Sequence, residues 1–213
     1  ADMIEISDVN MTFGKETVLR HVSLSVERGR IIGLTGNNGS GKTVLLKCIC
    51  GLFKPQSGKI VVDGKRVGID VDFPQDLGAI IEAPGFLPHK SGYANLDYLR
   101  RLRKKVEKSR ISSALSQVGL DKGAARKHVG KYSMGMKQRL GIAQAIMEDP
   151  DVIILDEPMN GLDNAGVREM RELFKSLRAQ GKTIIMASHN REDIDELCDN
   201  VYEMDAGILT KVR

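Results

Sequence analysis

Apolar residues recur at about every second position near the start of the chain, which is the spacing expected of strands that bury one face. Lys15-Glu16-Thr17 separates two such stretches and is interpreted as the turn between them. The pattern therefore predicts strands that pair in an antiparallel manner. The apolar positions are Ile4, Ile6, Val9, Met11, Val18, Val22, Leu24 and Val26.

After this region, short apolar segments alternate with helical segments. A strand at residues 31–34 leads through a glycine-rich loop into a helix at 42–50, and a strand at 58–62 is closed by Asp63-Gly64, a hairpin turn signal. Strands that are apolar on both faces and separated by helices predict a mainly parallel sheet. The other predicted elements are strands at 152–155, 183–187, 201–204 and 208–212, with a turn at 205–207, and helices at 165–180 and 191–197.

The alternation is interrupted between about Pro84 and Gln138, where the sequence favours helices. Helices are predicted from Tyr93 to about Lys105, from 106 to 118, and from near Ser133 onward. We interpret the stretch at about 85–138 as a helical insert within one domain that spans 1–213. The predicted fold class is α/β, with a mainly parallel sheet, an N-terminal antiparallel β-subdomain and this insert.

Composition narrows the function classes. A length of 213 residues suits one sizeable domain. Aromatic residues make up 4% with no Trp, which argues against a base-stacking surface for single-stranded nucleic acid. The net charge of +4 permits a nucleic-acid partner without requiring one. Three cysteines, an odd number, do not form a disulfide framework, so we expect a reduced, intracellular setting.

The apolar runs are too short to cross a membrane. The longest, at 152–155 and 183–187, fall far below the roughly 20 residues that a bilayer requires. The first residues also show no basic segment followed by an apolar one, as a leader would. If the protein works at a membrane, we expect another chain to span it.

A phosphate-binding motif follows the strand at 31–34. Residues 36–43 fit the pattern G-x-x-x-x-G-K-[ST], in which glycines let backbone N–H groups point at phosphate oxygens. The positive end of the next helix adds to this, Lys42 reaches the outer phosphates, and the Thr43 hydroxyl can ligate Mg²⁺. The alternative, a glycine-rich turn that caps an ordinary helix, is disfavoured by the position between an apolar strand and a helix.

Two carboxylates end the strand at 152–155. In phosphate-loop NTPases one such carboxylate holds Mg²⁺, directly or through water, and Asp156 suits that role. The adjacent Glu157 can orient and deprotonate the attacking water. Alternatively, both residues only end the strand before a turn at Pro158. The phosphate loop favours the metal and base roles, and both motifs follow strands, where ligands bind in parallel sheets.

The motifs together make the sequence resemble the nucleotide-binding subunit of ATP-binding cassette (ABC) transporters, over essentially the whole chain. The resemblance implies a phosphate-loop NTPase core. The segment at 132–139 resembles the family signature, keeping Ser133 and Gly135 but placing Met at 134 and 136. Alone, it would be only a plausible helix start. The other motifs, in the family's order, are the phosphate loop, Asp156-Glu157-Pro158, Asn160-Gly161-Leu162-Asp163 and Ser188-His189.

The resemblance implies that ATP and Mg²⁺ are the cofactors. Phe13 would stack on adenine and Val18 would line the same patch; the alternative for Phe13 is a core position on a strand. His189 would contact the γ-phosphate as a catalytic residue beside Glu157, and its alternative is a structural histidine. Nucleotide contacts are implied for Asn37, Asn38, Gly39, Ser40, Gly41, Lys42, Thr43 and Val44, and for Ser133 and Gly135 of a second chain.

Glu82 is the most informative departure from the family pattern. Family members usually carry Gln there, where it senses Mg²⁺, so Glu82 would join Thr43 and Asp156 as a metal residue. Glu82, Pro84 and residues 93–96 resemble the branch that handles lantibiotics and bacitracin-type peptides. A carboxylate binds Mg²⁺ more strongly than an amide, but it adds negative charge near the γ-phosphate. The sequence leaves open which effect dominates.

A basic stretch at 100–108 has two interpretations. The default is a solvated helix face. The other is contact with anionic lipid headgroups or acidic loops of a membrane partner, because family members dock through the helical insert.

The resemblance implies an ATPase that works as a head-to-tail, ATP-dependent homodimer. Each Mg-ATP would lie between the phosphate loop of one chain and Ser133–Gly135 of the other. A separate transmembrane permease would be driven from the cytoplasmic face of the membrane, with antimicrobial peptides or other amphiphiles as cargo. The rival is a non-transport cassette ATPase that acts on ribosomes or nucleic acid. The chain lacks the second cassette, long coiled coil or basic tail usual in such proteins, so no nucleic acid is expected.

Overall fold

The computed structural model describes residues 2–83, 85–103 and 106–213. Pro84, at the predicted start of the insert, and Lys104 and Lys105, in the basic stretch, lie outside the described residues. The strands are β1 Asp2–Phe13, β2 Glu16–Glu27, β3 Ile31–Thr35, β4 Ser57–Val62, β5 Lys65–Arg66, β6 Leu77–Ile80, β7 Val152–Asp156, β8 Thr183–Ala187, β9 Asn200–Asp205 and β10 Ile208–Lys211. The helices are α1 Lys42–Ile49, α2 Gly92–Arg103, α3 Ser109–Gln117, α4 Lys122–Arg126, α5 Met134–Ile146, α6 Asn164–Ala179 and α7 Arg191–Leu197, with a 3-10 turn at Val129–Lys131.

The N-terminal strands form an antiparallel sheet in the order β2-β1-β4-β5, as the sequence predicts. Asp63 and Gly64 both have positive φ, 49° and 74°, and this two-residue turn pairs Val62 with Lys65. Such a turn matches the right-handed twist of its strands, so the hairpin prediction is confirmed. The turn predicted at Lys15-Glu16-Thr17 is placed too late in the chain, because β2 already begins at Glu16, which pairs with Phe13.

The second sheet has the order β10-β9-β3-β8-β7-β6. Its strands run parallel from β9 to β6, and β10 returns antiparallel to β9, which confirms a mainly parallel sheet. Strand β6 is not predicted from the sequence, because its Gly78 and Ala79 are poor strand formers. A Cβ at Gly78 would lie 1.8 Å from the Ala145 carbonyl oxygen, so this edge strand is shaped by close contact with α5.

Helices α2 to α5 lie between β6 and β7 in the chain. The helix predicted from residue 106 begins only at Ser109, and α4 was not predicted. Asp121 caps α4 by accepting a hydrogen bond from the Ala124 N–H. Ser133 likewise caps α5, its hydroxyl accepting from the Met136 N–H at 3.1 Å, so the helix predicted from near Ser133 is confirmed.

The parallel sheet is buried on both faces. In β7, Ile153 and Leu155 pack on one side with α5 and α6, while Val152 and Ile154 pack on the other with α1 and the antiparallel strands. This alternation fixes the carboxyl ends of β3, β7 and β8 relative to one another. Among the described residues, no helix combines the length and apolar character needed to cross a membrane.

The three cysteines, Cys48, Cys50 and Cys198, are free and buried. Burial raises the pKa of Cys48 to about 11 and the pKa of both Cys50 and Cys198 to about 12. The thiols therefore behave as small apolar side chains of the core.

Candidate functional site

The phosphate loop joins β3 to α1 through three glycines in a backbone conformation that L side chains rarely adopt. Gly36, Gly39 and Gly41 have φ values of 135°, 79° and 112°. A Cβ at Gly36 would lie 2.1 Å from the Met204 carbonyl oxygen, and one at Gly41 would lie 2.8 Å from the Val18 carbonyl oxygen. Gly41 also leaves the N-terminus of α1 without a side-chain cap. The first N–H groups of α1 are therefore free to bind an anion.

Two buried polar side chains of the loop fit a triphosphate. Lys42 is 6% exposed, and its ammonium donates to the carbonyl oxygens of Gly36 and Asn37 at 2.5 and 3.0 Å. The Ser40 hydroxyl is buried and has no hydrogen-bond partner among the described residues. A buried hydroxyl without a partner is costly, so the loop is built to receive further acceptor atoms.

Thr43 of α1 meets Asp156 at the end of β7, although β3, which leads into α1, is separated from β7 by β8. The Thr43 hydroxyl donates to Asp156 Oδ2 at 2.8 Å. Burial raises the pKa of Asp156; the Thr43 hydrogen bond and the Lys42 charge oppose this, and the charges of Glu157 and Glu82 add to it. No group of three or more His, Cys, Asp or Glu within the described ranges could hold a metal ion. Mg²⁺ would thus need phosphate or water oxygens besides Thr43 and Asp156, which is its usual mode of binding.

Glu157 lies at the carboxyl end of β7 with a left-handed backbone, φ 49°. Its N–H donates to the Ala187 carbonyl oxygen of β8 at 2.8 Å. Its Oε2 lies 2.9 Å from His189 Nδ1, so the structure brings the predicted base and the predicted γ-phosphate contact together. The His189 side chain is 68% exposed, which disagrees with a buried structural histidine.

One cavity of about 330 Å³ is lined by most of the site residues predicted from the sequence. Phe13 lies outside this lining, 43% exposed, with its ring edge-on to Phe53 at 5.4 Å between centroids. Its exposure disagrees with the alternative of a core position. The cavity is lined by Val18, Asn38, Gly39, Gly41, Lys42, Thr43, Val44, Asp156 and Glu157.

Glu82 follows β6 with a left-handed backbone, φ 60°, and is also outside the lining. Its carboxylate pairs with Lys47 Nζ of α1 at 3.0 Å. Its charge nevertheless contributes to the raised pKa of Asp156, so its field reaches the metal-binding pair. Lys47 belongs to no recognisable motif, so the sequence alone does not mark it as a site residue.

Gln138 is a second residue that the sequence analysis missed. Its side-chain amide on α5 donates to the Pro158 carbonyl oxygen at 2.9 Å and to the Glu157 carbonyl oxygen at 3.3 Å. These bonds tie the helix that follows the signature to the backbone of the predicted base. The spacing of Gln138 from Ser133, within the segment that resembles the signature, was the only signal available.

Helices α6 and α7 are joined by a buried ion pair, and the loop before each helix ends in a capping residue. Asp163 caps α6 and Asn190 caps α7, directly after His189. Arg171 of α6 donates twice to Asp193 Oδ1 of α7, at 2.6 and 2.8 Å, and Asp193 is fully buried. The pair fixes the helix that follows His189 against α6.

Ser133 and Gly135 are not brought to the phosphate loop of the same chain. Neither lines the 330 Å³ cavity. Ser133 caps α5, and Met134 is 72% exposed, with its side chain against Gly161. A Cβ at Gly135 would lie 2.9 Å from the Gly161 carbonyl oxygen. The signature turn, Ser133–Gly135, is therefore a separate, outward-facing region.

The described arginines of the basic stretch are paired. Arg100 and Arg101 bind Asp97 at 2.9 and 2.8 Å, and Arg103 binds Glu148 at 2.9 Å. These pairs favour a solvated helix face over a patch of free positive charge.

Known proteins resemble this chain in overall sequence and in fold. The chain matches the family described as ABC transporter over residues 19–160. It is 42% identical to YybJ, an uncharacterised ABC transporter ATP-binding protein of Bacillus subtilis (strain 168), over 97% of this chain and 94% of that protein. It is 40% identical to the bacitracin transport ATP-binding protein BcrA of Enterococcus faecalis, over 98% of this chain and 68% of that protein. It is 35% identical to the lantibiotic transport ATP-binding protein SrtF of Streptococcus pyogenes, over 92% of this chain and 84% of that protein.

Solved structures agree in fold. The ATP-binding cassette MJ0796, in a dimeric post-hydrolysis state bound to ADP and Pi, superposes with a TM-score of 0.89 and 22% identity, covering 99% of both chains. An ATP-binding subunit of an ABC transporter superposes with a TM-score of 0.87 and 25% identity, covering 99% of this chain and 90% of that one.

Proposed function

Because the chain belongs to the ABC transporter family, as an ATP-binding and ATP-hydrolysing subunit, we propose that it powers a separate membrane-spanning permease. The observation that carries the proposal is the cavity in which the phosphate loop, Asp156 and Glu157 meet. The chain would act as one cassette over 1–213, bound peripherally at the cytoplasmic face of the membrane. Its helical insert, at about 85–138, would receive the permease.

The loop binds the triphosphate in this proposal. Lys42 exchanges its two carbonyl partners for the outer phosphates, and the free N–H groups of α1 and the Ser40 hydroxyl add further donors. Phe13 stacks on the base, and Val18 lines the cavity beside it. Asn37 and Asn38 complete the loop.

Hydrolysis uses groups at the ends of β7 and β8. Thr43 and Asp156 would hold Mg²⁺, and the ion would neutralise part of the phosphate charge. Glu157 accepts a proton from the attacking water. His189 is hydrogen-bonded to Glu157, orients the Glu157 carboxylate and contacts the γ-phosphate. Glu82 senses the metal from the neighbouring edge of the sheet.

We propose that two copies complete each site. Ser133 and Gly135 face away from the loop of their own chain, so the Ser133 hydroxyl and the N-terminus of α5 are available to a nucleotide held by another copy. The dimeric state of the MJ0796 cassette supports this arrangement. Closure on ATP and opening after hydrolysis would move the permease.

The cargo class follows from the relatives. Two of them are named for bacitracin and lantibiotic transport, so we propose antimicrobial peptides or similar amphiphiles as cargo, by export or self-protection. No observation favours the rival action on ribosomes or nucleic acid.

Isolation of the crosslinked complex from membranes tests the proposal, with Glu157→Gln used to hold the ATP-bound state. We expect a multi-spanning membrane protein to copurify, and ATPase activity of the wild-type complex to respond to peptide antibiotics. Ribosomal proteins or nucleic acid in its place would overturn the transport function.

A further inference from the structure

Lys47 occupies a defined position between two partners. It lies on α1, whose inner face is anchored by the fully buried Leu45, Leu46 and Ile49. Its side chain is only 20% exposed, and its ammonium lies 3.0 Å from Glu82 Oε1 and 5.1 Å from the centroid of the Phe53 ring. An anion on one side and an aromatic face on the other hold a normally mobile ammonium in place.

The aromatic partner extends this contact toward the proposed base site. The Phe53 ring lies edge-on to the Phe13 ring, with an interplanar angle of 70°. Lys47 is thus in contact, through Phe53, with the ring proposed to stack on adenine, and directly with the carboxylate proposed to sense the metal.

The negative charge of Glu82 is unfavourable at this edge of the sheet, and Lys47 offsets it. Three carboxylates, Glu82, Asp156 and Glu157, act on one edge of the sheet, and the charges of the other two raise the pKa of Asp156. A further negative charge there opposes the binding of a triphosphate. The Lys47–Glu82 pair carries no net charge, so Lys47 offsets the negative charge that Glu82 brings to this edge.

We propose that Lys47 is a positioning residue for Glu82: it neutralises the carboxylate and competes with Mg²⁺ for it. This inference rests on the proposed function, since it assumes that Mg-ATP occupies the loop. Glu82 turns to the metal only by leaving Lys47, so the ion pair sets the Mg²⁺ concentration at which ATP binds tightly. Glu82 thereby acts as a metal sensor whose charge is offset by Lys47 while no metal is bound.

A double-mutant cycle tests the proposal through binding. Wild type, Lys47→Met, Glu82→Gln and the double variant are titrated with a fluorescent ATP analogue over a range of Mg²⁺ concentrations. Lys47→Met frees the carboxylate, so we expect the half-saturating Mg²⁺ concentration to fall by about threefold, on the scale of an exposed ion pair. Binding of the analogue in EDTA should weaken by a similar factor. With Glu82→Gln already present, Lys47→Met should leave the Mg²⁺ dependence unchanged.

Controls separate charge from position. Lys47→Arg keeps the positive charge and should retain the wild-type Mg²⁺ dependence, and Lys54→Met removes an exposed lysine near the same helix and should do likewise. If Lys47→Met does not fold, Lys47→Gln takes its place. An equal effect of Lys47→Met with and without Glu82→Gln would overturn the inference. If wild type itself does not bind the analogue, the proposed function fails instead.

Discussion

Two regions differ in how far one chain completes them. The first is the phosphate-loop edge, formed by residues 36–43 with Asp156, Glu157 and His189; the second is the signature turn, Ser133–Gly135. At the phosphate-loop edge, side chains from distant segments hold one another: Thr43 bonds Asp156, and Glu157 bonds His189. At the signature turn, the Ser133 hydroxyl serves only its own helix, and Met134 is 72% exposed. The first region is assembled before nucleotide arrives, whereas the second presents a helix N-terminus with no counterpart in the same chain.

In the proposed arrangement, binding and hydrolysis depend on different numbers of chains. A single chain carries the cation, hydroxyls and carboxylates that we propose bind Mg-ATP. The turn at Ser133 can meet a phosphate only when another copy presents one. Substitutions at the two regions should therefore separate affinity from turnover.

Lys42→Ala is expected to have the largest effect. Lys42 is the only cation among the described residues that line the cavity, so ATP affinity should fall by at least about 10²-fold, the scale of a buried charged hydrogen bond. Equilibrium binding of a fluorescent ATP analogue measures this, with thermal unfolding as the check that the variant is folded. An unchanged affinity for the ATP analogue in a folded variant would show that residues 36–43 are not the phosphate-binding loop.

Glu157→Gln should slow hydrolysis by about 10²-fold or more, the usual contribution of a positioned base. The amide keeps the side-chain shape and removes a negative charge, so ATP affinity should not decrease. Steady-state phosphate release and equilibrium binding, measured on the same preparation, test both statements. Hydrolysis near the wild-type rate would remove Glu157 from the role of base.

Met134→Glu tests the second region alone. The side chain is largely exposed, so the fold and the ATP affinity of one chain should be unaffected. A carboxylate facing the nucleotide of the other copy should repel it, and hydrolysis should fall roughly tenfold or more. Met134→Gln, of similar length without the charge, is the matched control. Equal hydrolysis by the two variants would mean that the signature turn meets no phosphate.

Glu82→Gln should have the smallest effect. It restores the residue usual in the family, so the loss of ATPase activity should not exceed roughly tenfold, about 1.4 kcal/mol in transition-state free energy. The main change should be in the Mg²⁺ dependence, measured by ATPase assays over a Mg²⁺ titration. If Glu82→Gln abolishes turnover while Glu157→Gln spares it, the two glutamates have been assigned in reverse.

Features encoded in adjacent residues could be predicted from the sequence. Asp63-Gly64 supplies the positive φ angles of its turn locally, and the apolar strands at 31–34, 152–155 and 183–187 show their burial directly. The bounds of these three strands agree with the structure within one residue at either end. The phosphate loop is likewise a single continuous segment.

Features that depend on packing between distant segments could not be predicted. β6 contains Gly78 because α5 lies against it, and no local pattern shows that contact. The Lys47–Glu82 pair and the Gln138 bonds to 157–158 join segments far apart in the chain. The proposed relation of Ser133 to the phosphate loop involves a second copy, so neither the sequence nor the structure of one copy displays it.

The most direct test of a nucleotide site shared between two chains is the mass of Glu157→Gln in solution. Size-exclusion chromatography with light scattering, run without nucleotide, with Mg-ADP and with Mg-ATP, measures it. We predict a monomer or a weakly associated dimer in the first two conditions and a stable dimer with Mg-ATP, which disappears when Met134→Glu is added. The same mass in all three conditions, with ATP binding intact, would contradict the account.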